Sequence, residues 1–194
     1  MSVEELMIAT QKHQRLSTIL EDLGSAAVAF SGGVDSGLVA KLASDHLGQH
    51  AIAVTAVSPS LPAAERDEIA AFVSQFQIQH EFISSNETED PRYRANAPNR
   101  CYFCKSNVYE RLAGFASQRG LQSLLDGTNA DDVGDHRPGR QAADEWGVRS
   151  PLQEAGLSKA DIRLLARQLQ LPLWDKPAAA CLASRIPYGS QVTD

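Results

Sequence analysis

Two of the three cysteines of this chain, Cys101 and Cys104, stand at CxxC spacing in NRCYFCK, and the third, Cys181, follows three alanines in PAAACLASR. An odd number of thiols is poorly explained by disulfides and better explained by metal binding or catalysis. The residues leave several chemistries open. Zinc would need a fourth ligand, for which His136 is the candidate. A redox dithiol would leave Cys181 unused and would set bulky Tyr102 and Phe103 between its sulfurs. Cys181 could also be a small buried residue, a common fate of free cysteine. The second reactive stretch is FSGGVDSGL, residues 30–38. Gly32 and Gly33 permit a tight turn with inward-pointing backbone N–H groups, and a helix N-terminus behind them adds partial positive charge. Ser31 and Ser36 can donate hydroxyl hydrogen bonds. Asp35 is out of place beside an anion unless a cation lies between, which makes it a Mg²⁺ ligand candidate. The stretch is neither a Walker loop nor GxGxxG, and it can also be read as a glycine turn whose serines cap a helix.

The elements that must position these residues alternate between strand and helix. Residues 4–23 read as an amphipathic helix, 26–30 as a strand, 36–48 as a helix, 51–57 as a strand and 62–76 as a helix opened by Pro62. Residues 79–84 alternate as a strand, a polar stretch runs to Pro98, and a helix runs from about 103 to 119, just after the CxxC pair. A fourth strand covers 121–127, and a late helix over 158–170 opens on Ser158 with Asp161 at its third position. Such alternation implies a parallel sheet with helices on both faces. Ligands of these sheets bind beyond the carboxyl ends of the strands, so residues 31–36, 56–60, 84 onward and 127–132 should share one rim. The whole chain reads as one domain, 1–194, in which 128–194 is rich in loops.

Composition narrows the function classes. With 43% apolar and 22% charged residues the chain has an ordinary globular mix. It holds no apolar run of about 18 residues, and its polar, acidic N-terminus is unlike a signal peptide, so a cytoplasmic location is expected. The net charge of −6 argues against a broad nucleic-acid surface.

Ser31-Gly32-Gly33-Val34-Asp35-Ser36 resembles the SGGxDS loop of the ATP pyrophosphatase, or PP-loop, family. The resemblance implies cleavage of ATP between its α and β phosphates, adenylylation of an oxygen, and displacement of AMP by a nucleophile. It also implies a five-stranded parallel sheet, adenine held at the backbone of Ala56 and Val57, and an α-phosphate bordered by Gly127. SPSLPAAE, NRCYFCK, DGTNADD, HRPGRQAADEWGVRSPL and WDKPAAACLASRIPYG, in that order, together resemble the LarE family of ATP-dependent sulfur transferases. That family acts in building the nickel-pincer nucleotide of lactate racemase.

The LarE resemblance implies a pyridinium-3,5-dicarboxylate mononucleotide substrate whose carboxylates become thiocarboxylates. It implies one of two sulfur sources. In one, Cys101, Cys104 and Cys181 hold a [4Fe-4S] cluster with one open iron. In the other, Cys181 gives up its own sulfur and becomes dehydroalanine. A dianionic pyridine and its phosphate call for guanidinium groups, which makes Arg137, Arg149 and Arg185 the substrate-binding candidates, with Arg140 read as a surface residue. Asp131 and Asp132 are Mg²⁺ ligands or turn formers, Asp144 and Glu145 a helix face, and Trp174 and Tyr188 stacking or packing aromatics. A homo-hexamer is expected from the family alone. The family's chains continue past PYG with acidic and arginine residues for the substrate pocket, so these 194 residues are expected to lack that portion. A tRNA thiolase of the same superfamily is the alternative reading, followed by amide-forming synthetases and a nucleotide sensor.

Overall fold

The computed structural model describes residues 3–132, 138–177 and 181–193. In chain order the elements are α1 (Val3–Glu21), β1 (Ala26–Ala29), α2 (Val34–Leu47), β2 (Ala51–Val57), α3 (Ala63–Gln75) and β3 (His80–Ser84). They continue with α4 (Pro91–Arg94), α5 (Arg100–Arg119), β4 (Ser123–Leu125), α6 (Pro138–Glu145), α7 (Pro151–Glu154) and α8 (Lys159–Gln168), and a short 3₁₀ turn closes the series at Leu182–Arg185.

The sheet order is β3-β2-β1-β4, and every pairing is parallel. The carboxyl ends of all four strands therefore meet one edge. Alternation along each strand splits the side chains between two cores. Ala26, Val28, Ala51 and Ala53 pack with Leu16, Leu20, Leu38, Leu152 and Ile162 of α1, α2, α7 and α8. Ala27, Ile52 and Val54 pack on the other face with Tyr109 and Leu112 of α5 and Ala142 of α6. Strands apolar on both faces need helices on both faces, as the sequence reading requires.

Two expectations change. The family sheet has five strands, whereas four are formed among the described residues; beyond β4 a single parallel bridge joins Leu125 to Arg149. The CxxC pair does not precede its helix: α5 begins at Arg100, so Cys101 and Cys104 are its second and fifth residues and lie within its N-terminal end. Helix α8 opens on the expected capping box: Ser158 Oγ accepts from the backbone N–H of Asp161, and the Asp161 carboxylate accepts from that of Ser158. Among the described residues no helix is long and apolar enough to cross a membrane.

Candidate nucleotide and thiol site

The loop after β1 is closed by its own serines. Ser36 Oγ accepts from Ser31 N at 3.2 Å, donates to Gly33 O at 3.3 Å and lies 3.1 Å from Ser31 Oγ. Gly32 is required twice over. Its φ of 77° is left-handed, and a Cβ there would stand 2.9 Å from Ile69 Cγ1. Gly127, just past β4, makes the closest approach: a Cβ would stand 2.6 Å from Ser36 N, so only glycine lets this backbone lie against the start of α2. Thr55 Oγ1 donates to Phe30 O at 2.8 Å and ties the loop's entrance to β2. Ala56 and Val57 end β2 on the same edge.

Gly127 is itself held by a buried carboxylate. Asp126 accepts from Thr128 N at 3.0 Å, Thr128 Oγ1 at 2.8 Å, Ser150 Oγ at 2.8 Å and Tyr109 Oη at 3.0 Å. Burial, together with the Asp126 charge, pushes the Tyr109 phenol far up, so it stays a donor. Tyr109 lies on α5, so this hydrogen bond links the helix of the thiols to the phosphate rim.

Two lysines that composition and spacing left unmarked reach the loop. Lys159, the first residue of α8, sets its ammonium 2.8 and 2.6 Å from the two carboxylate oxygens of Asp35. Lys176 Nζ donates to Gly32 O at 3.1 Å and to Glu68 at 2.7 Å. The placement of Lys176 inside WDKPAAAC was the available signal; Lys159 had only its position beside a helix cap.

The three thiols are free. Cys101 and Cys181 are exposed, and Cys104 is half-buried among the side chains around Tyr93, Ala183 and Val192. Burial pushes the Cys104 thiol up to about 12; Glu87 adds to this, as do the charges of Cys181 and Cys101, while Lys105 opposes it. Cys104 packs in one apolar cluster with Ala183, and Arg100 Nη1 donates to Ala183 O at 2.7 Å, so the segment after Cys181 lies against the start of α5. As a donor set this fits an iron–sulfur cluster in kind, with three thiols and none committed to a disulfide. Among the described residues, no group of three His, Cys, Asp or Glu side chains is gathered closely enough to grip an ion. Ser60 joins this neighbourhood to the rim. Its Oγ is 2.9 Å from Tyr93 Oη, and its carbonyl accepts from Leu182 N at 3.4 Å.

The other expected residues scatter. Arg149, bridged to Leu125 at the end of β4, pairs its guanidinium with Glu154, which raises its pKa. Arg185 is exposed, and Arg140 is half-buried on α6. Arg137 and His136 lie outside the described residues. Asp131 and Asp132 take turn roles: the Asp131 carboxylate accepts from Lys159 N at 2.8 Å, and that of Asp132 from Asn129 N at 3.1 Å. Glu145 accepts from Tyr102 Oη at 2.6 Å, and Asp144 is an exposed residue of α6. Arg167 lies 5.1 Å over the ring of Trp174, and Arg100 5.9 Å over that of exposed Tyr188.

Residues 20–175 match the asparagine synthase family model. The chain is 49% identical over 182 residues to the Synechocystis protein slr1717, spanning 94% of this chain and 68% of that one. It is 38% identical over 187 residues to the pyridinium-3,5-bisthiocarboxylic acid mononucleotide synthase of Lactiplantibacillus plantarum, spanning 96% of this chain and 67% of that one. The chain thus spans about two thirds of the length of these relatives. Among solved structures, the NH3-dependent NAD synthetase of Campylobacter jejuni superposes with a TM-score of 0.68 over 84% of this chain and 74% of that one, at 16% identity, a likeness of fold alone. A parallel sheet carrying an SGGxDS loop, with three thiols beside its rim and these relatives, leads to one assignment: the chain belongs to the LarE family of PP-loop proteins.

Proposed function

We propose that the chain is an ATP-dependent sulfur transferase that adenylylates a carboxylate of a pyridinium-3,5-dicarboxylate mononucleotide and converts it to a thiocarboxylate. The relative from Lactiplantibacillus plantarum is named for the corresponding bisthiocarboxylic product. The observation that carries the reading is the meeting of two chemistries on one edge: a phosphate loop after β1 and three free thiols, joined through Ser60. An amide-forming synthetase would need the first and have no use for the second.

In this reading the N–H groups of Gly32, Gly33 and the first turn of α2 bind the phosphates, helped by the Ser31 and Ser36 hydroxyls. The backbone of Ala56 and Val57 holds adenine, and Gly127 borders the α-phosphate. Asp35 would hold Mg²⁺, which offsets phosphate charge during transfer. Lys159 pairs with that carboxylate in the structure and would add positive charge at the mouth of the loop. The substrate carboxylate attacks the α-phosphorus, pyrophosphate leaves, and a sulfur nucleophile then displaces AMP. Arg137 and Arg185 contact the substrate. Cys101, Cys104 and Cys181 would hold a [4Fe-4S] cluster, whose open iron supplies a seat for sulfide. A second reading has Cys181 donate its own sulfur; its exposure, beside a Cys104 that keeps its proton, favours this. A cytoplasmic location and a homo-hexamer complete the proposal, the latter checked by light scattering.

Anaerobically purified protein given ATP and the dicarboxylate substrate should release AMP and pyrophosphate and form thiocarboxylate. With a cluster, replacing any one of the three cysteines by alanine removes most of the bound iron and the sulfur transfer together. With a sacrificial donor, only Cys181→Ala stops transfer, and the wild type loses the mass of H₂S per turnover. Adenylylation absent from the wild type would refute both readings.

A further inference from the structure

We infer that Asn96 and Arg100 are positioning residues, a polar clamp that holds the Cys181 segment against the CxxC turn of α5. The inference rests on the proposed reading of the three thiols as one site.

Asn96 is fully buried and adopts a left-handed φ of 51°, which asparagine tolerates better than most residues. Its Nδ2 donates toward the carbonyls of Ile186 at 3.3 Å, Pro187 at 2.8 Å and Ser190 at 2.8 Å. Its own carbonyl accepts from Gly189 N at 3.1 Å. Its Oδ1 accepts from Arg100 Nη1, and that nitrogen also donates to Ala183 O at 2.7 Å. Arginine can only donate, so the amide has one possible orientation: oxygen to Arg100, nitrogen to the carbonyls. Both side chains are buried, and the hydrogen bonds run between segments about ninety positions apart.

Sequence position gives the clamp its meaning. Arg100 immediately precedes Cys101, and the carbonyl it grips lies two residues after Cys181. Among the described residues the apolar support there is slight. Tyr93, Ala183 and Val192 are the buried members of that cluster, with Phe103, Cys104 and Ile186 packed against them. So small a core would not by itself fix a segment of irregular backbone. The buried amide and guanidinium set where the segment lies, and with it where Cys181 stands relative to Cys104.

The test uses Cd²⁺ alone as a thiolate probe on the full 194-residue chain, following the sulfur-to-cadmium charge-transfer band per bound ion. Cys181→Ala defines the two-thiolate signal, and helical circular dichroism and ATP binding are recorded on the same samples. The wild type should exceed the Cys181→Ala band. Asn96→Ala should fall to it, with Cd²⁺ affinity lower by about 10–100-fold, as for other supports of metal ligands, and with helix content and ATP binding unchanged. Asn96→Asp keeps an oxygen toward Arg100 but loses the donors, so it should fall likewise; it decides the matter if Asn96→Ala does not fold. A wild-type band no larger than that of Cys181→Ala would overturn the inference, as would variants that keep the wild-type band and affinity. Loss of helix in both Asn96 variants would make the pair part of the general framework and also overturn it. A three-thiolate wild type that transfers no sulfur would leave the clamp standing and refute the functional reading instead.

Discussion

The phosphate loop and the thiol neighbourhood share a rim but are held there by different means. The loop is an exit from a central strand, backed by the larger core, with Phe30 and Val34 among its buried members. Its geometry is set by backbone approach, glycine against helix start, with no space to relax. The thiols sit at the start of α5 and just before the 3₁₀ turn Leu182–Arg185, over a cluster with three buried apolar members among the described residues. Polar contacts do there what apolar packing does under the loop. A region with few buried apolar contacts opens at lower free energy than one inside the main core. A nucleotide site gains from rigidity, whereas a site that accepts sulfur and delivers it, the role proposed for the thiols, gains from local opening.

Asp35→Ala should break the loop side most severely: AMP release falls by about 100-fold, the scale set by removing one group that manages transition-state charge. Its thermal midpoint should barely move, because the Asp35–Lys159 pair is partly exposed and worth about 0.2–1 kcal/mol. Wild-type turnover in that variant would end the phosphate-loop assignment. Gly127→Ala should come next, since its Cβ would meet the Ser36 backbone 2.6 Å away. Overpacking of this kind costs about 1–3 kcal/mol. That predicts a melting point lower by roughly 3–10 °C, read by differential scanning calorimetry. Gly114→Ala on α5, where a Cβ meets nothing within 4 Å, is the matched control and should be neutral or stabilising.

The mildest effect belongs to Cys104. Thiolate is the reactive form, so in a Cys101→Ala/Cys181→Ala chain Cys104 should react with iodoacetamide at pH 8 at least about tenfold more slowly when folded than in urea. Equal rates would mean that the thiol is not withdrawn from water. The same shift predicts a pH dependence with a definite sign. The folded thiol holds its proton more tightly than the unfolded one, with the pKa raised from 9.0 to about 12. Its contribution to stability is therefore complete below pH 9 and is lost as the pH rises to about 12, which urea unfolding across that window would register.

By itself the sequence determined the local parts of this protein. Alternation of apolar runs with helical periods located four strands and the long helices to within a few residues, because periodicity is a property of adjacent residues. SGGVDS could be read as an anion loop because its glycines and serines act within one turn, and CxxC as a paired-thiol motif for the same reason. The tertiary structure alone decided which distant groups meet. Lys159 reaches Asp35 across 124 positions, and Asn96 reaches Ser190 across 94. Asp131, a candidate Mg²⁺ ligand, meets the first turn of α8 across 28 positions. None of these pairings has a spacing rule. They follow from the strand order β3-β2-β1-β4, which brings the ends of α2, α5 and α8 together at one edge, and from burial, which obliges each polar group there to find a partner.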